Sequence, residues 1–399
     1  MEDLGTAKKA DGTLAWLRDR NRRRVIEMLR TQGGATQADI ARATGLSRTT
    51  VSTLIGELRE AGLILDVDAR PNRTRGGRPG APVALRDAGQ VVVGIDFGHS
   101  HVGVAVADLT HAVLAEQQEE LDVNRHAQQA LDCAARLFQE VLACAGVDRG
   151  RVIGAGIGIP GPVDRAHGTA GSSTILPSWV GLRIASEMEG RLGVPVQIEN
   201  DANLGALAEL TWGAGRDCSN FTYIKAATGI GAGIVIDGRL LRGATGTAGE
   251  IGHTTLDERG LLCYCGNRGC LETVASGPAI VKLVGLVNGA LLTIARVVEL
   301  AAAGDVRCRR AVADAGREIG VAVAGLCNLI NPERVIIGGL LSQAGEVMLR
   351  PLRESIRRHA VQAAAQTVDV RAAFFVERAE LLGAVALPLL GSLERVAAG

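Results

Sequence analysis

The segment Gly249-Glu250-Ile251-Gly252-His253, followed by Cys263-Tyr264-Cys265-Gly266-Asn267-Arg268-Gly269-Cys270, puts one imidazole and three thiols within eighteen positions. Imidazole and thiolate are donors that zinc favours. Four protein donors fill a tetrahedral shell and leave no position for a substrate. The set His253, Cys263, Cys265 and Cys270 therefore reads as a structural Zn2+ site. Gly266 and Gly269 let a short loop turn tightly enough for the sulfurs to converge. A loop this rich in Gly, Asn and Arg does not suit three idle buried thiols. The remaining cysteines, Cys133, Cys144, Cys218, Cys308 and Cys327, lie in apolar contexts and are expected as buried thiols, with no disulfide framework.

Other polar clusters follow apolar runs, the pattern of ligand sites beyond the carboxyl ends of strands. Val91 to Phe97 is a buried strand entering a turn at Gly98, and Val102 to Ala107 a second strand. Val152 to Ile159 ends in Pro160-Gly161-Pro162-Val163-Asp164, and Val194 to Ile198 ends in Glu199-Asn200-Asp201 before a helix from Ala202 to Leu210. Tyr223-Ile224-Lys225 and Thr228 to Ile236 form a hairpin around a glycine-rich turn, and Arg334 to Ile337 ends in Gly338-Gly339. Two sheet-and-helix halves facing a cleft fit this spacing.

Before them lies a different unit. Leu14, Leu17, Val25, Ile26 and Leu29 recur at helical spacing, and Thr36 is an N-cap for a second helix. Gly45 supplies a turn, and Ser47 caps a third helix with Val51, Leu54, Ile55 and Leu58 inward. Its outward face begins Arg48, Thr49, Thr50, Ser52 and Thr53, side chains suited to base edges and phosphates. The run Arg70 to Pro79, with Arg75 and Arg78, reads as a wing. A winged helix-turn-helix DNA-binding domain over residues 1–85 follows, with Ser47, Arg48, Thr49, Thr50, Arg75 and Arg78 as candidate DNA contacts. A protein-interaction module is the alternative.

The totals agree. The 399 residues allow two or three domains, and zero formal net charge hides an asymmetry. Residues 1–85 hold fifteen Lys and Arg against ten Asp and Glu, so the remainder is net acidic. A basic head on an acidic body suits operator DNA as partner. The polar start and the lack of a long apolar run predict a cytoplasmic protein without membrane insertion.

From Val91 onward the chain resembles the ROK family (repressors, open reading frames and kinases), most specifically in Gly249 to His253 with the cysteine loop and in Glu199-Asn200-Asp201-Ala202-Asn203. The head is similar to that of its regulators. The resemblance implies an α/β, actin-like ATPase (sugar kinase) two-lobed domain behind the winged head. Lobe 1 would span 86–200, with a C-terminal helix 378–396 returning to it, and lobe 2 201–377 with the zinc loop 253–272. It also implies a sugar site of Gly161, Asn200, Asp201, Glu250, His253 and Glu272, whose amide and carboxylates suit a ring of hydroxyls. His253 would serve metal through one ring nitrogen and sugar through the other.

In ROK kinases Asp201 would be the general base. The resemblance places a nucleotide site at Asp96, Gly98, Thr228, Gly229, Gly338 and Gly339. The first phosphate loop departs, however: Asp96-Phe97-Gly98-His99-Ser100-His101 stands where kinases read Asp-x-Gly-Gly-Thr-Lys or -Asn. A side chain at the second glycine obstructs close approach of phosphate, which weakens the case for ATP and Mg2+ as cofactors. The expected function is a sugar-responsive transcriptional regulator, a repressor of carbohydrate genes, with a monosaccharide effector. The alternative is an ATP-dependent hexose kinase carrying a DNA-binding head. A homodimer or dimer of dimers is expected from the apolar helices around Val281 to Ala302 and Ile319 to Leu329. Selectivity among sugars is expected from the loop Pro177 to Gly181.

Overall fold

A computed structural model of the chain describes residues 17–18, 21–22, 24–26, 28–29, 32, 34–60, 63–67, 81–85, 89–109, 112–165, 167–170, 176–288 and 292–398, with backbone alone at 286–288 and 391–398. In the head, Thr36 accepts from the Asp39 amide and the Asp39 carboxylate accepts from Thr36 N, a capping box that starts the helix Gln37–Thr44. Gly45 ends it at φ 69°. Ser47 Oγ accepts from Thr50 N at 3.1 Å and starts the helix Arg48–Glu60. That helix buries Val51, Leu54, Ile55 and Leu58 against Val25, Leu29 and Ile40. Arg48, Thr49, Ser52 and Thr53 face solvent. Strands β1 (Ile64–Asp66) and β2 (Val83–Leu85) pair antiparallel. The wing expected between them, with Arg75 and Arg78, lies outside the described residues, as does Leu14.

The body is built twice on one plan. The first sheet holds β3 (Val91–Phe97), β4 (His101–Asp108), β5 (Val113–Glu120), β6 (Val152–Ile159) and β9 (Val196–Asn200), in the order β5-β4-β3-β6-β9. A small hairpin of β7 (Val163–Asp164) and β8 (Thr169–Ala170) interrupts the sequence. The second sheet holds β10 (Phe221–Ala226), β11 (Ile230–Ile236), β12 (Arg239–Leu240), β13 (Arg334–Gly338) and β14 (Asp369–Ala372), in the order β12-β11-β10-β13-β14. In each, the first three strands are an antiparallel meander and the last two add in parallel. β3 and β13 are buried throughout, which is why they read as continuous apolar runs.

Two helices lie between the sheets. Ala379–Ala398 packs on β3 and β6, so closely that a Cβ at Gly156 would strike the Ala384 backbone. Asp201–Thr211 packs on β10 and β11 and against Ala379–Ala398, with Gly383 seated on the Leu204 backbone. The second half is covered by Val306–Ile330 and Glu346–His359. Ile280, Val284, Val297, Val298, Ile319 and Val323 belong to its core. The apolar helices read as surplus surface are therefore mainly interior, although Leu283 and Leu329 are exposed. No described helix is long and apolar enough to cross a membrane. Of the five cysteines expected as buried, Cys133, Cys218, Cys308 and Cys327 are, but Cys144 is exposed: it follows the last buried turn of its helix.

Candidate functional site: a four-donor cluster beside a carboxylate-lined cleft

Gly249 sets the geometry of the signature segment. It adopts φ 99°, and a Cβ there would overlap the Ala232 carbonyl, so only glycine lets residues 249–253 press on β11. Ala232 N donates to Gly249 O at 2.8 Å and fixes the register. Bridges Thr255–Cys270 and Leu262–Arg268 then fold the cysteine loop back on the segment. Cys263 Sγ lies 3.7 Å from His253 Nδ1, and Cys265 Sγ 3.7 Å from Cys270 Sγ. All four donor atoms fall within 4.8 Å of one another. A tetrahedron with metal–sulfur bonds of about 2.3 Å has sulfur–sulfur edges of about 3.8 Å, so the donor set fits a closed metal site.

The other face of His253 looks away from the sulfurs. Its Nε2 is 3.7 Å from Glu250 Oε2 and 3.4 Å from the Tyr264 hydroxyl. Burial, with Asp201 and Glu272 nearby, pushes the Glu250 carboxyl up to about 7. Glu272 Oε2 accepts from Ile230 N at 3.4 Å. Burial and a hydrogen bond to Glu272 raise the Tyr264 phenol above its ordinary range. Asn200 Nδ2 donates to Gly161 O at 2.8 Å, while its Oδ1 caps the helix Asp201–Thr211 by accepting from Asn203 N. The six residues expected to meet a sugar thus form one connected wall. Asn200 has a capping duty as well.

The expected nucleotide residues lie alongside, and several are engaged within the chain. His101 Nε2 is 3.0 Å from Asp96 Oδ2, and a Cβ at Gly98 would fall on the His101 ring. His99, which stands where kinases have glycine, instead turns its Nδ1 to Asn124 Oδ1 at 2.9 Å. The group covering the first phosphate loop is therefore His101, two residues later than the sequence pattern pointed. The hydrogen bond that His101 donates to Asp96 raises the imidazole's pKa against the opposing effect of burial. Thr228 is exposed in the β10–β11 turn, and Gly229 faces Glu272. Gly338 is packed under the Tyr223 hydroxyl, and Gly339 over the Ala226 backbone.

Sequence reasoning missed four contributors. Lys225 Nζ reaches Asp201 Oδ2 at 2.8 Å and Glu380 Oε1 at 3.1 Å. Arg242 Nε donates to the buried Glu199 at 2.6 Å, and Glu199 in turn accepts from Asn203 Nδ2. Tyr264 is the fourth. A lysine inside an otherwise apolar strand was the one available signal; Glu380 and Arg242 arrive from distant segments. In the loop Pro177 to Gly181, expected to sort sugars, Val180 is exposed while Trp179 turns inward. Trp179 is buried, packs edge-on to Phe97 at 5.0 Å, and donates its indole N–H to Val123 O at 2.8 Å. It is core, because its ring fills the end of the first sheet.

Comparison with known proteins places this geometry. The ROK family profile matches residues 92–389, and a winged helix-turn-helix DNA-binding profile matches residues 18–64. A xylose repressor of Caldicellulosiruptor bescii is 30% identical over 94% of this chain and 97% of its own length. A glucokinase of Thermotoga maritima is 33% identical but covers 74% of this chain, with 96% of its own length matched. A solved ROK family transcriptional regulator, described as a homologue of the Escherichia coli MLC protein, superposes with TM-score 0.75 at 28% identity, covering 96% of this chain and all of that one.

Proposed function

This chain belongs to the ROK family, and from that premise we propose that it is a sugar-responsive transcriptional repressor of carbohydrate uptake or metabolism genes, acting in the cytoplasm. The observation that carries the reading is the helix Arg48–Glu60. One face is core, and the other offers Arg48, Thr49, Ser52 and Thr53 to solvent in a head that the repressor relative shares and the glucokinase match does not require.

A monosaccharide lies, in this reading, among Gly161, Asn200, Asp201, Glu250, His253 and Glu272. His253, Cys263, Cys265 and Cys270 hold Zn2+, whose chemistry there is structural: it fixes the imidazole so that Nε2 faces the sugar. Sugar binding changes how the two halves meet, which alters the spacing of paired heads in a homodimer or dimer of dimers and thus operator affinity. The sugar must favour one arrangement, since equal affinity for both switches nothing. In this reading Ser47, Arg48, Thr49 and Thr50 contact the operator, and Arg75 and Arg78 join them on the strength of the sequence alone. A thermal-shift screen of monosaccharides, then gel shift on the gene's upstream DNA with each stabilising sugar, tests the reading. It fails if no saccharide alters promoter occupancy.

The kinase alternative has one specific support: Asp201, the general base in that reading, opens a helix whose Ala202 packs on Gly231, just after the Thr228-Gly229 turn. Against it, Asp201 Oδ2 holds Lys225 and Oδ1 accepts from Ala202 N, so neither oxygen is idle.

A further inference from the structure

Three carboxylates, Asp96, Asp201 and Glu380, gather about Lys225. Asp96 and Asp201 both act on Glu380. Left alone, such a cluster would repel itself or take up protons. The base among them that reaches two carboxylates is Lys225. Burial pulls its pKa down, yet Asp201, Glu380 and Asp96 override that and hold it well above lysine's ordinary value. Its partners belong to different halves. Lys225 stands on β10, and the Asp201 helix rides on the same sheet, with Ala202 packed on Gly231 and Gly233. Glu380 opens the helix that packs on β3 and β6 of the other sheet. The three side chains are 21%, 15% and 11% exposed, so water screens the contacts only in part.

We propose that Lys225 is the positioning residue of the carbohydrate pocket, a built-in counter-ion that keeps Asp201 a fixed acceptor and ties it to Glu380 of the other half. The ammonium supplies within the chain the positive charge that such a cluster requires. Asp201 then offers hydroxyls a carboxylate whose direction is set before any ligand arrives. Because both halves hold the same cation, the direction of Asp201 and the approach of the halves are one variable. The proposal rests on the carbohydrate reading for its ligand, but the tie between the halves can be measured without one.

The test uses the full chain with Lys225→Met, Lys225→Arg and Glu380→Gln. Calorimetric titration with D-glucose and with D-xylose is paired with amide hydrogen exchange over residues 201–211 and 379–390. Lys225→Met should weaken binding of whichever sugar the unaltered chain takes by about 10-fold or more, and Lys225→Arg should restore it to within about 3-fold, the range of ordinary site coupling. Exchange in both helices should quicken in Lys225→Met and return in Lys225→Arg. Unchanged affinity in Lys225→Met, or no rescue by arginine, overturns the proposal. If Lys225→Met does not fold, Glu380→Gln decides: faster exchange in both helices supports the tie, and unchanged exchange overturns it. If the unaltered chain binds neither sugar, that counts against the carbohydrate reading, and exchange in Lys225→Met and Lys225→Arg alone judges the tie.

Discussion

His253 turns Nδ1 toward Cys263 Sγ at 3.7 Å and Nε2 toward Glu250 Oε2, also at 3.7 Å, so one imidazole joins the thiol cluster to the carboxylate wall. Metal removal should therefore act at a distance. The purified chain is expected to carry about one equivalent of zinc. Cys265→Ser should lose most of it, and with it about 10- to 100-fold in sugar affinity, as for other groups that orient a site through a metal ligand. Metal analysis beside calorimetry checks this. Sugar affinity that survives complete chelation would break the link.

The Asp96–His101 pair predicts a direction for stability against pH. The imidazole's folded pKa is raised above 6.5, chiefly by the hydrogen bond it donates to Asp96. Protonated His101 therefore stabilises the fold fully below the unfolded value, and that contribution is lost as pH rises through the folded value. Melting curves of the native chain and His101→Gln should differ most in mild acid and converge in alkali. A gap that widens with pH contradicts the pairing.

Phosphoryl transfer should be absent. With His101 over Gly98 and Lys225 on Asp201, incubation with ATP, Mg2+ and a sugar panel should release no sugar-dependent ADP. Stoichiometric ADP tied to one sugar would favour the kinase reading instead.

Arg48 is exposed on the first turn of its helix, so Arg48→Ala should leave the head's stability within about 0.5 kcal/mol. Its cost should appear in DNA binding, about 1–3 kcal/mol if the guanidinium reads a base edge. Gel shift at fixed salt, with a thermal melt of the same variant, separates the two effects.

Trp179→Ala should destabilise the first half by about 3–5 kcal/mol, the cost of emptying a large buried site. Denaturant unfolding measures it. If the variant instead keeps its stability and changes sugar preference, the core assignment of Trp179 is wrong.

Local chemistry was legible in the sequence where neighbours in the chain are neighbours in space. The cap at Thr36, the inward face of Val51 to Leu58, the strand Val152–Ile159 and the four donors of the metal cluster all follow from spacing within one segment. What escaped depends on contacts between remote segments. Lys225 and Glu380 are 155 positions apart and meet only after both sheets have formed. His99 and His101 look alike in sequence, but Asn124 holds the first aside while Asp96 draws the second over the loop. Trp179 sits in a loop by sequence, and only the unfilled end of the first core shows why it turns inward.

The last helix of the chain completes its first sheet. Until Ala379 and the residues after it have left the ribosome, the inner faces of β3 and β6 lack their main cover. Translation of the roughly 220 intervening residues takes on the order of tens of seconds, during which the nascent chain carries an open, apolar sheet. A chain that stopped short of Ala379 would keep that apolar face open and lack a working first half.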